Sequence, residues 1–520
     1  MDSTAIAQLV IRSSAPTGPG LAVGVYRGGS LVGHAAAGLA SVEFGVPIDE
    51  HTRFDIASTS KHFTATAVLL LARDGLLDLG DDIRSHLPEL RLTTPVTIAQ
   101  CLLHTGGLPE WLALAEIAGR PLTRITQDQA LAFISGLETL NFAPGSEFSY
   151  SNTGYVLVAS LVHRLTGRTL GEFATERIFA PLGMSHTAFR EDSRAVLPQF
   201  AYGYESVGDG FRRADSEECA VGDGGLATSV SELGPWFRFL RTGDVLGQDI
   251  RDALFGGNPT FPDGSVGPYT YGLYHAALGS ERVIGHAGAV VGYRSQLYYF
   301  PDHDLGVVVL SNNSAVNPGV IAQKVARIAA EIPDAPAPVR VDDTTAAQAV
   351  DGWWIMRDSG HSVQLAAEAD GTLTLSGLQR GRFTLATDGS WHGDDPDDGL
   401  QLHFDGDLLR VSTRMRPGRD MTYERCAAPD PSAAAPTGTY LDAELGILAI
   451  IHADGRFRLG LEIAGQLEPG PDNTFRAGPA ALRREGDDLL LSGHGVHTLR
   501  FVRQPDGTDL IGVPRGLEKP

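Results

Sequence analysis

The sequence predicts an α+β domain followed by two all-β modules, and three observations carry that prediction. Over residues 1–335, strand-like runs stand near both ends with long helical stretches between them. After the run "PDAPAPVRVDD" (residues 333–343) the chain changes to short strands and Asp-Gly turns, and "APDPSAAAPTG" (428–438) divides this part again; both runs read as linkers. The two pieces then repeat each other in order, which points to a duplicated module. The expected domains are residues 1–335, 344–428 and 436–520.

Each element has a local reason. "LAVGVYRGGSLVGHAAAG" reads as a hairpin turning at Gly28 and Gly29, and the apolar run after Lys61 as a helix stopped at Asp74-Gly75. "RSQLYYFPDHDLGVVVLSNN" gives two more strands about a turn, followed by a helix from about Pro318 to Ile332. In the β modules, "DGWW" at Asp351 answers "TGTY" at Thr437, and "ADGTLTL" at Ala369 answers "ADGRFRL" at Ala453. "DGDLLRVS" at Asp405 answers "EGDDLLLS" at Glu485, and "TYER" at Thr422 answers "RFVR" at Arg500, the offset drifting from 86 to 78 residues. Two small up-and-down antiparallel barrels account for this pattern.

Composition excludes several functions. A chain of 520 residues, 42% hydrophobic and 20% charged, is globular and too long for one core. A formal net charge of −22 leaves no basic face for nucleic acid or anionic lipid. "MDSTAIAQLVIRSSAPTGPG" has no basic leader and too short an apolar run for an export signal or a membrane span, so a cytoplasmic location is expected. Cys101, Cys219 and Cys426 form no C-x-x-C pair, suit a reducing compartment and read as small buried apolar residues. A homodimer is the assembly that base rates suggest.

The chemistry begins at "FDIASTSKHFTATAVLLLARD", residues 54–74. Lysine occurs three times among 41 basic residues, and Lys61 stands in the first turn of an apolar helix. With the helix beginning near Ser58, the hydroxyl and the amine three residues on share one face. A serine needs a base to become a nucleophile, and a lysine becomes that base when burial and neighbouring cations depress its pKa; arginine never does. The helix N-terminus also offers backbone N–H groups to an oxyanion. S-x-x-K alone is equally compatible with a capping serine and a surface lysine. Two further segments bear on the choice: "PGSEFSYSNTGYVLVASLVHRLTG" places Tyr150 and Asn152 as Y-x-N just before a helix, and "IGHAGAVVGYRSQLYYF" places His286 and Gly288 as H-x-G at the start of a strand.

With these motifs in this order, the sequence resembles the penicillin-recognising serine hydrolases, which include serine β-lactamases, D-alanyl-D-alanine carboxypeptidases, β-lactamase-type esterases and D-aminopeptidases. The resemblance covers residues 20–332 and extends to "LLHTGGLPEW" (102–111), "FAPGSEFSYSNTGY" (142–155), "IFAPLGMSHTAF" (178–189) and "GDGGLATSVSEL" (222–233). Length, the two β modules and the ending "IGVPRGLE" (511–518) look most like the D-aminopeptidase branch, whose fold is a β-lactamase/DD-peptidase-like α+β domain followed by two eight-stranded, lipocalin-like antiparallel barrels.

The resemblance implies an acyl-enzyme mechanism. Ser58 would attack the carbonyl, Lys61 would take its proton, and Tyr150 would relay a proton to the leaving amine. Asn152 would orient the lysine and the substrate amide, and His286 would hydrogen-bond around the tyrosine, the serine and the leaving group. The backbone N–H groups of Ser58 and Ala289 would hold the oxyanion, and Gly288 would let an extended substrate approach the strand edge. Water completes the reaction, so no metal or organic cofactor is implied; the 16 histidines show no H-E-x-x-H spacing. The family pattern has H-x-G here where penicillinases usually have K-T-G, which favours neutral or amine-bearing substrates over carboxylate-ended ones.

In the D-aminopeptidase branch a loop of the last barrel supplies an acid for the substrate α-amine. The corresponding stretch here, "FRAGPAALRREGDDLLLSG" (475–493), reads as an ordinary hairpin, with Glu485, Asp487 and Asp488 as candidate amine partners or plain turn acids. The expected activity is release of small D-residues from the N-terminus of peptides, amides or esters. A broader esterase, amidase or DD-carboxypeptidase, and a silent binding homologue, are the alternatives.

Overall fold

The computed structural model describes residues 2–120, 122–333, 339–377, 381–394, 400–412, 420–460, 463–478, 480–493 and 495–505. Contacts group residues 1–108, 122–135 and 142–335 into one unit and residues 109–121, 136–141 and 336–520 into a second. The ending "IGVPRGLE" lies outside the described residues.

The first unit is built on a six-stranded antiparallel sheet. Its hairpin, β1 (Leu21–Arg27) and β2 (Ser30–Ala37), turns at Gly28 and Gly29, both at positive φ. Four later strands complete it: β3 (Tyr274–Leu278), β4 (Glu281–Val290), β5 (Tyr293–Phe300) and β6 (Leu305–Ser311), in the order β3-β4-β5-β6-β1-β2. All seven residues of β6, "LGVVVLS", are buried, as an unbroken apolar run predicts for a strand covered on both faces. Edge strand β2 instead alternates between exposed and half-buried positions along most of its length. Helices α1 (Ser3–Arg12) and α4 (Pro318–Ala330) pack Ile6, Val10, Ile321 and Val325 into one core with Val23, Val25, Val307 and Val309.

The apolar helix runs Lys61–Arg73 (α2), and its residues from Lys61 to Leu71 are all buried, as expected for a helix apolar on every face. A 3₁₀ turn, Ala57–Ser60, precedes it, so Ser58 lies in this turn and not at the cap of the α-helix. Helix α3 (Asn152–Thr166) begins at Asn152 itself, with Ser151 as the N-cap accepting from the Thr153 N–H. His286 and Gly288 occupy the second half of β4 and not its start. The strand begins earlier because Glu281–Gly285 pairs with β3, whereas Ile284–Val290 pairs with β5.

In the second unit, eight antiparallel strands from Gly352–Ile355 to Met421–Cys426 form a closed barrel. It closes through Trp353 opposite Cys426, and Trp354, Phe383, Trp391 and Tyr423 fill it. The last module is a meander of nine strand segments whose two edge segments, Ile463–Gln466 and Glu468–Pro469, are consecutive and separated by the buried Leu467. The module is thus a barrel open at one kinked strand, its first and last strands meeting at Tyr440 opposite Arg503. Counting the kinked strand as one, the four repeated motifs fall on or beside the first, third, seventh and eighth strands of each module.

Two short pieces from the first half of the chain belong to this second unit. Asn141 Nδ2 donates to the carbonyl of Gly495 (2.7 Å) and its Oδ1 accepts from the His497 N–H (2.9 Å), while Glu444 accepts from Glu138 N and Thr139 Oγ1. Helix Trp111–Ile117 lies in the same unit. Cys101 is buried, Cys219 and Cys426 are only half-buried, and all three are free thiols. No helix of the described residues is long and apolar enough to cross a membrane.

Candidate active site

From Thr52 to Leu71 every residue is buried except Ser58. The backbone enters the 3₁₀ turn through Ala57 at φ 47°, a conformation an alanine adopts only under constraint. The constraint is Asp55, whose Oδ1 accepts from the Ala57 N–H at 2.8 Å and whose other oxygen meets Arg190 at 3.2 Å. Both partners are nearly fully buried. Burial pushes the Asp55 carboxyl above its ordinary range, and the Arg190 guanidinium opposes that shift.

Lys61 is fully buried. Its Nζ lies 2.9 Å from Ser58 Oγ, 2.7 Å from Asn152 Oδ1 and 2.5 Å from the carbonyl oxygen of Asp223, and 5.0 Å from the centre of the Tyr150 ring. The structure therefore brings Ser58, Lys61, Tyr150 and Asn152 together from two separate segments. Asp223 joins them through its main chain: Gly222, at φ 112°, lies where a Cβ would stand 2.6 Å from the Tyr155 carbonyl, and its own carbonyl accepts from Thr64 Oγ1. That turn aims the next carbonyl at the amine.

Strand β4 is stapled to the turn that carries Ser58. Ser295 Oγ donates to the Ile56 carbonyl (2.7 Å), and Thr59 Oγ1 lies 2.8 Å from Ser295 Oγ and donates to the His286 carbonyl (3.2 Å). Gly288 is needed for this approach. A Cβ there would stand 2.1 Å from the Ile56 carbonyl oxygen and 2.3 Å from Ser295 Oγ, so its small size serves strand-to-turn packing before any substrate arrives. Among the described residues, no strand pairs with the second edge of β4 beyond Gly285, which leaves residues 286–290, Ala289 included, as an open strand edge.

The His286 ring is bonded differently from the sequence expectation. Its Nδ1 lies 2.5 Å from the Ala287 carbonyl and its Nε2 lies 3.0 Å from the Tyr269 hydroxyl, not on Tyr150 or Ser58; Tyr150 meets it ring to ring at 6.0 Å. Burial, then the charge of Lys61, push its pKa down to about 3. His104, at positive φ, accepts from the Ser151 N–H through Nδ1 and packs against Tyr150 at 4.3 Å; burial and Lys61 push its pKa well down too. His62 stacks on Trp236, fully buried and likewise driven neutral by burial.

Glu485, Asp487 and Asp488 lie in the second unit, about the tight turn of an antiparallel pair. Arg500 engages both Glu485 (3.1 Å) and Asp488 (2.8 Å), and Asp488 also accepts from the Arg503 N–H, so these two behave as structural turn acids; Asp487 sits exposed at the turn.

Sequence reasoning missed Asp223, Tyr269, Asp55 and the role of His104. Asp223 and His104 lie within motifs already singled out, whereas Tyr269, in the aromatic stretch "PYTYGLY", carried no usable signal.

A beta-lactamase family model matches residues 7–331, and the chain belongs to that family, one of the penicillin-recognising serine hydrolases. Among its relatives, a D-aminopeptidase of Gluconobacter oxydans is 33% identical over 302 residues, covering 57% of this chain and 56% of the relative. A D-aminopeptidase of Cereibacter sphaeroides is 28% identical over 469 residues, covering 87% of this chain and 85% of the relative. In structure, the octameric penicillin-binding protein homologue from Pyrococcus abyssi shares the fold at TM-score 0.57 and 20% identity, over 96% of this chain and all of that one.

Proposed function

We propose that the protein is a D-stereospecific aminopeptidase or amidase that releases small D-residues through an acyl-enzyme on Ser58. The observation that carries the hydrolase reading is the Lys61 amine at 2.9 Å from a partly exposed serine hydroxyl, inside an otherwise buried segment. The D-aminopeptidase relatives support the substrate class.

In this reading Ser58 Oγ attacks the scissile carbonyl as its proton passes to Lys61 Nζ, and Asn152 together with the Asp223 carbonyl holds the amine in place. Tyr150 lies beside Lys61 and passes a proton to the departing amine. The N–H groups of Ser58 and of Ala289, on the open edge of β4, take the oxyanion. Water then attacks the ester, its proton returns through the same groups, and the acid is released with Ser58 restored. His286 acts as a neutral wall of the site. We also assign the protein to a reducing compartment, as its three free thiols suit, and to a homodimer, which light scattering tests.

A second reading, a broader amidase or esterase indifferent to a free α-amine, is favoured by one observation: two of the three candidate amine acids are engaged by Arg500. Hydrolysis of the p-nitroanilides of D- and L-alanine, each with and without an N-acetyl group, decides between them. Turnover confined to the free-amine D compound and abolished in Ser58→Ala supports the aminopeptidase; cleavage of the blocked compound at least as fast supports the broader enzyme; turnover that survives Ser58→Ala refutes both.

A further inference from the structure

The two ring nitrogens of His286 can be told apart by their partners. The Ala287 carbonyl can only accept, so Nδ1 carries the proton. Nε2 is then the basic nitrogen, and the Tyr269 hydroxyl 3.0 Å away is the donor. Tyr269 is fully buried, and its ring is wedged against His104 and Tyr274, each at 4.6 Å, so the phenol cannot turn to water instead. Adding a proton to Nε2 would reverse this bond and send the phenol hydrogen to its other neighbour, the Tyr155 hydroxyl, which itself donates to the Leu102 carbonyl, so the imidazole would lose its donor. The titratable groups around the ring and the phenol are Lys61, His62, His104, Tyr150, Tyr155, Tyr269 and Tyr274.

We propose that Tyr269 is a positioning and specificity residue: its donated hydrogen bond keeps His286 in the neutral Nδ1–H tautomer, so that the imidazole offers a substrate neither positive charge nor an N–H. This rests on the Ser58 site being that of a hydrolase. The consequence is a preference for acyl donors whose leaving group is neutral, and discrimination against those carrying a carboxylate beside the scissile amide. With the Tyr269 hydroxyl removed, Nε2 loses the donor that holds it unprotonated and takes a proton more readily as the pH falls.

The test uses the full chain labelled with ¹⁵N-histidine. Long-range ¹H–¹⁵N spectra, with His286 assigned by the signal lost in His286→Gln, report the tautomer without any turnover. At neutral pH the wild type is expected to show an unprotonated Nε2, and Tyr269→Phe a mixture of neutral tautomers. The kcat/KM ratio of D-alaninamide over D-alanyl-D-alanine should fall by about tenfold in Tyr269→Phe on acidification. An imidazolium or an Nε2–H tautomer in the wild type, or a Tyr269→Phe variant with unchanged tautomer and unchanged ratio, overturns the proposal. Should Tyr269→Phe not fold, 3,5-difluorotyrosine at 269 keeps the ring and strengthens the donor; it must move the Nε2 resonance toward its protonated value, and no movement overturns the proposal equally. If Ser58→Ala leaves turnover intact while the tautomer is as expected, the hydrolase assignment fails and not the Tyr269–His286 bond.

Discussion

Gly288→Ala tests the packing that places Ser58, the proposed nucleophile. The added methyl would stand 2.1 Å from the Ile56 carbonyl oxygen, against 3.4 Å for ordinary contact, so strand β4 and the Ala57–Ser60 turn must part by about 1.3 Å. Neither side yields easily. The Ile56 carbonyl already accepts from Thr59 N and from Ser295 Oγ, and Ser295 Oγ is bonded in turn to Thr59 Oγ1. Ser58 lies between those anchors, so the shift moves its hydroxyl away from the open β4 edge that carries Ala289. A misplacement of about 1 Å costs on the order of 100-fold in rate. Overpacking costs roughly 1–3 kcal/mol of stability. The assay is kcat/KM on D-alanine p-nitroanilide with thermal unfolding of the same sample. Gly256→Ala is the control, because a Cβ there meets nothing within 4 Å. Activity within about threefold of wild type and an unchanged unfolding temperature in Gly288→Ala would refute the reasoning, since a displacement of this size would then leave the reacting groups aligned.

Arg190→Met leaves Asp55 buried beside no counter-charge and is expected to cost about 3–5 kcal/mol by chemical denaturation. Adding Asp55→Asn should recover most of that loss, because the amide oxygen still accepts from Ala57; a single-variant loss below about 1 kcal/mol contradicts the account. His62, His104 and His286 are neutral in the folded state, whereas the unfolded chain binds protons below the ordinary histidine value of about 6.5. The stability of the first unit should therefore be complete above that pH and fall as the pH is lowered toward about 3, with a slope of up to ~1.4 kcal/mol per pH unit for each histidine. A flat urea-unfolding profile across that window would exclude it. Asn141→Ala removes two hydrogen bonds to Gly495 and His497 and should destabilise the second unit by about 1–2 kcal/mol, read as an earlier unfolding transition.

The parts legible in the sequence are those written in residue identity or short spacing. A lysine in an arginine-rich chain, three residues after a serine, marks Lys61 and Ser58, and Asp-Gly turns recurring at a drifting offset mark the two β modules. The remainder depends on groups with no residue signature or on long-range contacts. Asp223 acts through a main-chain carbonyl, which any residue supplies, and only the glycine before it hints at the turn. Alanine at 57 gives no sign of a positive φ, because the conformation is imposed by Asp55 and Arg190, the latter 135 residues away from its partner. Segments 109–121 and 136–141 join the last barrel through pairs such as Asn141 and Gly495, a separation no periodicity encodes. The kink at Leu467, which leaves the last barrel open, is equally silent, since a buried leucine fits an unbroken strand as well.

The cage around Lys61 explains why this position holds a lysine. A neutral amine has two hydrogens and a lone pair; an ammonium has three hydrogens. Around Nζ stand two oxygens that only accept, those of Asn152 and the Asp223 carbonyl, and one hydroxyl, Ser58, that can donate or accept. Both protonation states are therefore satisfied by the same three neighbours, the sole change being whether the hydrogen between Ser58 Oγ and Nζ belongs to one or the other. Proton transfer then needs no rearrangement of the surroundings, which is the condition under which fixed dipoles lower a barrier at no cost at the moment of reaction. A guanidinium, planar and permanently charged, could fill the space but not make the exchange, so Lys61→Arg should bind substrate and fail to acylate. Stopped-flow mixing with D-alanine p-nitroanilide reads this directly: a burst of p-nitroaniline from Lys61→Arg at the wild-type rate would show that the proton leaves Ser58 by another route.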